Sequence, residues 1–199
     1  MKHFNSLSKF RWFTTVILLI TFGIGQLWAD SYSWTCGVSQ TFTAATAVSL
    51  NGKSWTPSAS GTYSNLGSKE SPDPAVQIGS KKSPVRSFTM TSSAISGTIS
   101  SIVVTTHGAS DIGATVSITV GGNSFGGTAQ ALTSTNGNTH TFNGSASGTI
   151  IISWSQPSTS KAMYVKGISV TYSTCTSLAS INGSFFGTPL FEPFSLDNS

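Results

Sequence analysis

The chain has 199 residues, of which 38% are hydrophobic and 8% are charged. Lys2, Lys9 and Arg11 supply three of its ten basic residues, so the rest balances seven basic against six acidic residues, a net charge of +1. This balance excludes a basic surface for nucleic acid, because phosphate contacts need several clustered Lys or Arg residues. The remaining length suits one domain with a sizeable core.

The first segment predicts a secretory signal peptide over residues 1–29. The basic start is followed by the apolar run TTVILLITFGIG, and the small residue Ala29 precedes the polar Asp30. This order is typical of cleavage after Ala29. The apolar run is shorter than the roughly 20 residues that a membrane span needs. We therefore expect a secreted, extracellular protein with no membrane span after cleavage, and the periplasm and the cell surface are the alternative locations.

Two cysteines, Cys36 and Cys175, bracket nearly all of the β-rich sequence. Because export implies an oxidising compartment, we expect a disulfide that joins a first and a last strand lying side by side. Two free thiols, or pairing with a separate domain, are the alternatives.

Residues 30–174 alternate between apolar and polar side chains, which is typical of half-buried strands. Asn51 and Gly52 form a turn signal near the start. Further strands are predicted in AVQIG, VRSFTM, GTISSIVVTTHG, ATVSITV and THTFNG. GTIIISWS and AMYVKGISVTYS, joined by the turn-rich QPSTSK, are predicted to pair as an antiparallel hairpin. About eight strands at this spacing predict an all-β fold, a two-sheet antiparallel β-sandwich.

Residues 175–199 break the alternation, because four phenylalanines lie among Gly187, Pro189 and Pro193 without periodicity. Glycine and proline interrupt both strands and helices. We expect an irregular tail, which fits a truncated following module; the alternative is that these phenylalanines cap an open end of the sandwich.

Acidic residues give a weak signal for a metal. Glu70 and Asp73 lie close together in a predicted loop, and Ca²⁺ takes oxygen ligands from loops. Glu70 and Asp73 are the candidate metal ligands; the alternative is that both are solvated turn residues that bind no metal. No carboxylate pair at a fixed separation and no nucleophile motif indicates catalysis. We therefore expect a protein that is not an enzyme and that binds no cofactor other than this Ca²⁺.

Aromatic side chains give the positive case for a ligand, because sandwiches that bind carbohydrate present flat rings to sugar faces. Trp34, Trp55 and Tyr63 are the candidate binding residues, and Trp55 and Tyr63 flank a predicted loop. Core packing is the alternative for each ring. Three further aromatic residues belong to the same set of candidates, and for Trp154 alternation favours the core: Phe125, Trp154 and Tyr164.

Three segments resemble a β-sandwich module of secreted multidomain Bacteroidota proteins: AVQIGSKKSPVRSFTM, ATVSITVGGNSFG and THTFNGSASGTIIISWSQPSTSKAMYVKGISVTYS. The resemblance covers roughly Ser49 to Ser173 and is most specific in the last segment. It implies a jelly-roll-like, non-catalytic accessory module, and it carries no binding residues. We therefore expect binding to a polysaccharide or a cell-surface partner. The alternatives are a spacer or adhesion repeat without a ligand, and a fragment of a secreted hydrolase or nuclease.

Overall fold

The structure, a computed structural model, describes residues 28–60, 65–66, 68–69, 74–80, 82–83, 85–108, 113–157 and 162–174. These residues form fifteen β-strands and no helix, within a compact unit from Trp28 to Thr174. The all-β prediction is confirmed. The predicted tail and all but the last two residues of the predicted signal peptide lie outside this description.

The strands differ widely in length, from two residues to fourteen. In chain order they are β1 (Trp28–Thr35), β2 (Phe42–Thr43), β3 (Val48–Leu50), β4 (Lys53–Ala59), β5 (Asn65–Leu66), β6 (Ser68–Lys69), β7 (Ala75–Ile78), β8 (Ser87–Ser92), β9 (Ile95–Gly108), β10 (Thr115–Val120), β11 (Asn123–Ser124), β12 (Gln130–Ala131), β13 (Asn138–Gly148), β14 (Ile150–Ser155) and β15 (Met163–Thr174). Eight of them have six or more residues. The total exceeds the predicted eight because six of the other strands have only two or three residues, too few to show an alternation, whereas β7, with four, was predicted in AVQIG.

Thirteen strands form two antiparallel sheets, which confirms the predicted sandwich. Sheet I has the order β13-β9-β15-β7-β6. Two strands share one edge of the long strand β15: β7 pairs with its first residues, from Met163 to Val165, and β1 pairs with the rest, from Gly167 to Thr174. Sheet II has the order β11-β10-β14-β8-β4-β3, with β12 also on β10. The remaining strands, β2 and β5, pair with each other.

From β7 to β15 the chain alternates between the two sheets, as in a jelly roll, except that β11 and β12 follow β10 within sheet II. Strands β7, β9, β13 and β15 belong to sheet I, whereas β8, β10 and β14 belong to sheet II. The predicted hairpin is therefore wrong: β14 pairs with β8 and β10, and β15 pairs with β1, β7 and β9. Both runs bury one face in the same core, so their alternation looks alike whether they pair or face each other.

The core lies between the inner faces of the two sheets. Ile152 on β14 pairs with Ile118 on β10 and with Met90 on β8, and all three side chains are buried. Burying one such side chain contributes roughly 1.5–3 kcal/mol relative to exposure. The predicted inner face of β14, with Ile150 and Trp154, is confirmed.

Sheet I contains β-bulges that keep its long strands facing the core. Val165 pairs with Thr106, but the next residue paired on β15 is Gly167, so Lys166 is an extra residue. An extra residue shifts the alternation by one position. Val165 and Ile168 therefore both face the core although they lie three positions apart.

The first and last strands of the described unit lie side by side, as predicted, but they run antiparallel. Trp28 pairs with Thr174, whereas the Cys36 amide donates to the Lys166 carbonyl at the other end of the pair, at 2.7 Å. Cys175 lies outside the described residues. The predicted disulfide therefore stays a prediction, and within the described residues Cys36 has no disulfide partner.

The predicted turn at Asn51 and Gly52 is confirmed. Both residues have positive φ, 46° and 80°, and they join Leu50 to its partner Lys53. This geometry matches the twist of the flanking strands, and Asn-Gly is the dipeptide that adopts it most readily.

Candidate functional site

Two of the three predicted sugar-binding aromatics are core residues. Trp55 is 0% exposed, and its Nε1 donates to the Tyr32 hydroxyl at 3.1 Å, which in turn donates to the Leu50 carbonyl at 2.8 Å. Trp34 is 7% exposed and packs on Phe42, with ring centroids 5.9 Å apart. A buried ring offers no face to a sugar, so the prediction is wrong for these two residues.

The other aromatic candidates that the structure describes supply no exposed platform either. Phe125 and Trp154 are buried, Tyr164 is half-buried, and Tyr63 lies outside the described residues. Among the side chains that the structure describes, Val38 is the large hydrophobic one that is exposed, at 69%. Binding through stacked rings therefore has no support in this part of the chain.

The predicted metal ligands Glu70 and Asp73 lie outside the described residues. Within the described ranges no three His, Cys, Asp or Glu side chains come together in a way that could hold a metal ion. The carboxylate present there is that of Asp30, which accepts a hydrogen bond from the Tyr172 hydroxyl at 3.1 Å. Burial, together with this bond and the Asp30 charge, raises the pKa of Tyr172.

Cys36 is not placed for nucleophilic chemistry. Its side chain is buried, and its Sγ donates to the Gly37 carbonyl at 3.4 Å. Burial raises the pKa of this thiol, although the Lys166 charge acts in the opposite direction. Reactive cysteines instead have a depressed pKa and partial exposure.

A polar cluster lies inside the core at one end of sheet I. His140 is 3% exposed, and its Nε2 lies 2.8 Å from the hydroxyl of the fully buried Thr106 and 3.4 Å from the Asn138 amide nitrogen. Burial lowers the pKa of His140, so the ring stays neutral inside the fold. The cluster satisfies buried polar atoms and is closed to solvent, so we interpret it as structural.

The outer face of sheet II is lined by hydroxyl groups. Twelve outward positions on its four long strands hold eleven Ser or Thr residues and Ile151. On β4 and β8 they are Ser54, Thr56, Ser58, Ser87, Thr89 and Thr91. On β10 and β14 they are Thr115, Ser117, Thr119, Ile151, Ser153 and Ser155. We call these twelve positions the sheet II face; none of them is charged.

Strand register aligns the sheet II face into rows. One row runs Thr119, Ile151, Thr91, Thr56, and the next runs Ser117, Ser153, Thr89, Ser58. In the part of the chain that the structure describes, none of these hydroxyls forms a hydrogen bond with another protein group. They are therefore free to bond with water or a ligand.

Sheet I has a similar outer face, with nine hydroxyl residues on four strands. The sheet I face comprises Ser31, Ser33, Thr35, Ser101, Val103, Thr105, Thr139, Thr141, Asn143, Ser169 and Thr171. One of its rows runs Thr139, Thr105, Gly167, Thr35. Charged residues of opposite sign, Asp30 and Lys166, lie close to its opposite ends.

Sequence reasoning missed both faces. The signal was present, since Thr115, Ser117 and Thr119 alternate with the buried residues of β10. Within one strand, Ser and Thr at alternate positions indicate only that this side of the strand faces solvent, because one strand supplies a single column of the hydroxyl array. The array exists because four strands, distant in sequence, come into register.

Comparison with known proteins gives no family. No family model and no curated protein matches the chain. Among solved structures, an exo-β-1,3-galactanase from Phanerochaete chrysosporium, in complex with β-1,3-galactotriose, is similar over 72% of this chain, with 15% identity and a TM-score of 0.33. The match covers 29% of that enzyme. A likeness at this level carries no argument about function.

Membrane-spanning helices are absent from the part of the chain that the structure describes. None of its residues belongs to a helix long and apolar enough to cross a bilayer.

Proposed function

We propose that this chain is a non-catalytic extracellular accessory module that binds uncharged carbohydrate. The observation that carries the proposal is the chemistry of the two outer faces. Both consist mainly of Ser and Thr hydroxyls. None of the twelve positions of the sheet II face is charged, whereas Lys166 lies beside the sheet I face. An uncharged surface with many hydrogen-bonding groups suits a ligand of the same kind.

A hydroxyl both donates and accepts hydrogen bonds, as the hydroxyls of a sugar do. One such bond contributes only about 0.5–1.5 kcal/mol net, because each group gives up a bond to water. Useful affinity therefore needs several bonds at once. Rows of aligned hydroxyls, such as Ser117, Ser153, Thr89 and Ser58, provide several at fixed spacing.

Two sequence features support the extracellular part of the proposal. The predicted signal peptide directs export, and the resemblance to accessory modules of secreted Bacteroidota proteins points to the same location. A carbohydrate ligand also agrees with that setting.

A structural spacer without a ligand is the second candidate. It is favoured by the burial of aromatic rings such as Trp34 and Trp55, because aromatic anchors dominate many binding sites. A spacer needs a well-packed core and no particular surface.

A glycan array separates the two candidates. The full chain, purified after export and fluorescently labelled, is applied to neutral and anionic glycans at low and high salt. We expect signals on neutral glycans that persist at high salt, because screening weakens charge interactions only. An array without any signal would favour the spacer and reject carbohydrate binding.

A further inference from the structure

We propose that the sheet II face is the binding surface and that its ligand is a single chain of an uncharged polysaccharide. This inference rests on the proposed function and adds where, and in what form, the carbohydrate binds. Its central part is the row formed by Thr119, Ile151, Thr91 and Thr56 together with the adjacent row through Ser153.

The first argument is the regularity of sheet II. The pairings of β10 with β14, β14 with β8, and β8 with β4 run without a register shift. Side chains on this face are therefore spaced about 4.8 Å across the strands and about 6.6–6.8 Å along them. The face extends roughly 14 Å by 13 Å on these spacings. It presents hydroxyls at repeating positions, which suits a ligand that is itself a repeat.

Sheet I lacks this regularity. The pairing of β15 with β9 shifts register twice, and so does the pairing of β13 with β9. In the row Thr139, Thr105, Gly167, Thr35 one position has no side chain. The sheet I face is thus interrupted where the sheet II face is continuous.

The second argument is charge. The outward positions of the four strands in sheet II contain no Lys, Arg, Asp or Glu. A ligand that docks there displaces water from hydroxyls but from no charged group, and dehydrating a charge is far more costly. Nucleic acid would need clustered cations, and a protein partner is usually held by aromatic or Arg anchors. An uncharged ligand complements this face best.

The third argument concerns order and shape. Ser and Thr lose little side-chain entropy when they are fixed, and strand backbones hold them in place. Ile151, half-buried in the middle of the face, can contact the apolar face of a sugar ring. Neighbouring strands are rotated by about 20–25°, so the face is twisted. A flexible single chain can follow this twist, and a flat crystalline surface cannot.

Matched triple variants test the proposal on the full chain. The sheet II variant is Thr56→Val, Thr91→Val and Thr119→Val, and the sheet I variant is Thr35→Val, Thr105→Val and Thr139→Val. Each removes three hydroxyls from one row and keeps the side-chain shape; none of the six hydroxyls has a hydrogen bond within the described residues. Affinity is measured by calorimetry for the neutral polysaccharide that gives the strongest array signal. We expect the sheet II variant to lose about tenfold or more and the sheet I variant to change less than about twofold.

A conservative control separates binding from folding. Thr56→Ser, Thr91→Ser and Thr119→Ser together retain the hydroxyls, so this variant should keep the affinity of the unmodified chain, and thermal unfolding checks that every variant is folded. Should the Ser variant lose affinity as the Val variant does, the hydroxyls are not the binding groups and the proposal fails.

The outcomes distinguish the inference from the proposed function. An equal loss in both Val variants, or a loss confined to sheet I, would place the site elsewhere while carbohydrate binding stands. Self-association abolished by the sheet II variant would make a second copy the occupant and overturn the inference. If the unmodified chain binds no neutral glycan, both the inference and the proposed function fail.

Discussion

The two sheets of this sandwich bury the same core but are built differently. The main strands of sheet I, β9, β13 and β15, have 14, 11 and 12 residues, whereas β4, β8, β10 and β14 in sheet II have six or seven. Register shifts occur between the long strands of sheet I, and none occurs between the four strands of sheet II. Those long strands contain glycines; the four strands of sheet II contain none.

The difference follows from strand length. A long strand twists, and bulges let it bend while its apolar residues stay on the core. A strand of six residues needs no such correction. The outer surface of sheet II is therefore regular, whereas the bulges that let the strands of sheet I bend interrupt its outer surface. We interpret sheet I as the sheet whose strands need bulges to keep their apolar residues on the core, and sheet II as the sheet whose regular outer surface can bind a ligand.

The largest expected effect concerns a glycine that sheet I requires. Gly97 has a φ of +110°, and a Cβ there would collide with the Ser173 carbonyl of the neighbouring strand. Gly97→Ala should cost roughly 3–4 kcal/mol of unfolding free energy, from backbone strain plus the displaced strand. Gly122, in the turn after β10, has a φ of +85° and open space around it. Gly122→Ala should cost only roughly 1–2 kcal/mol. Urea unfolding measures both, and equal losses would contradict the difference between the sheets.

A second comparison uses the two fully buried tryptophans of sheet II. Trp55 donates to the Tyr32 hydroxyl, whereas the buried Nε1 of Trp154 has no hydrogen-bond partner among the described residues. Both substitutions reduce the ring volume by a similar amount. Trp55→Phe also removes a hydrogen bond, whereas Trp154→Phe removes a buried donor that is unsatisfied. We expect Trp154→Phe to be less destabilising by about 1 kcal/mol or more. If chemical denaturation showed Trp154→Phe to be the more destabilising variant, the Trp55 bond would not stabilise the sandwich.

The third prediction concerns acid. His140 is kept neutral by burial, with its pKa below the usual 6.5, whereas the unfolded chain takes up a proton near that value. Below pH 6.5 the unfolded state therefore binds more protons than the folded state, and this difference lowers the free energy of unfolding. Unfolding free energy should be level above pH 6.5 and should fall as pH drops below it. His140→Gln should flatten this part of the profile, and an unchanged slope would show that another group is responsible.

The smallest expected effect is on the sheet II face itself. Thr89 has no hydrogen bond to the protein in the described structure, so Thr89→Val should change the unfolding free energy by less than about 0.5 kcal/mol. Thr106, whose hydroxyl bonds His140 inside sheet I, is the matched control, and Thr106→Val should cost about 1–3 kcal/mol. A large loss at Thr89 would show that the outer hydroxyls stabilise the fold, which weakens the case for a ligand.

The sequence predicted local features well, because they depend on nearby residues. The Asn51-Gly52 turn and the inward positions of Ile150, Ile152 and Trp154 are confirmed. Alternation shows which side of a strand is buried. It does not show which sheet the strand joins, so the predicted pairing of β14 with β15 was wrong although both inner faces were right.

The candidate site was harder to predict, because it depends on contacts between distant segments. Trp55 flanks a turn, yet its ring is buried and lies next to Tyr32 of β1, a strand earlier in the chain. The direction of β1 against β15, which makes Trp28 the partner of Thr174, likewise cannot be read from a local pattern. The hydroxyl rows could not be predicted for the same reason.

The antiparallel pairing of β1 with β15 also has a mechanical consequence. Trp28 and Thr174 are partners, so the chain enters and leaves the sandwich at neighbouring points. A pulling force applied there would load the bonds between these strands one after another, as in opening a zipper, instead of all together in shear. A force between these two ends would therefore separate β1 from β15 at a lower load than a force that shears the two strands past each other.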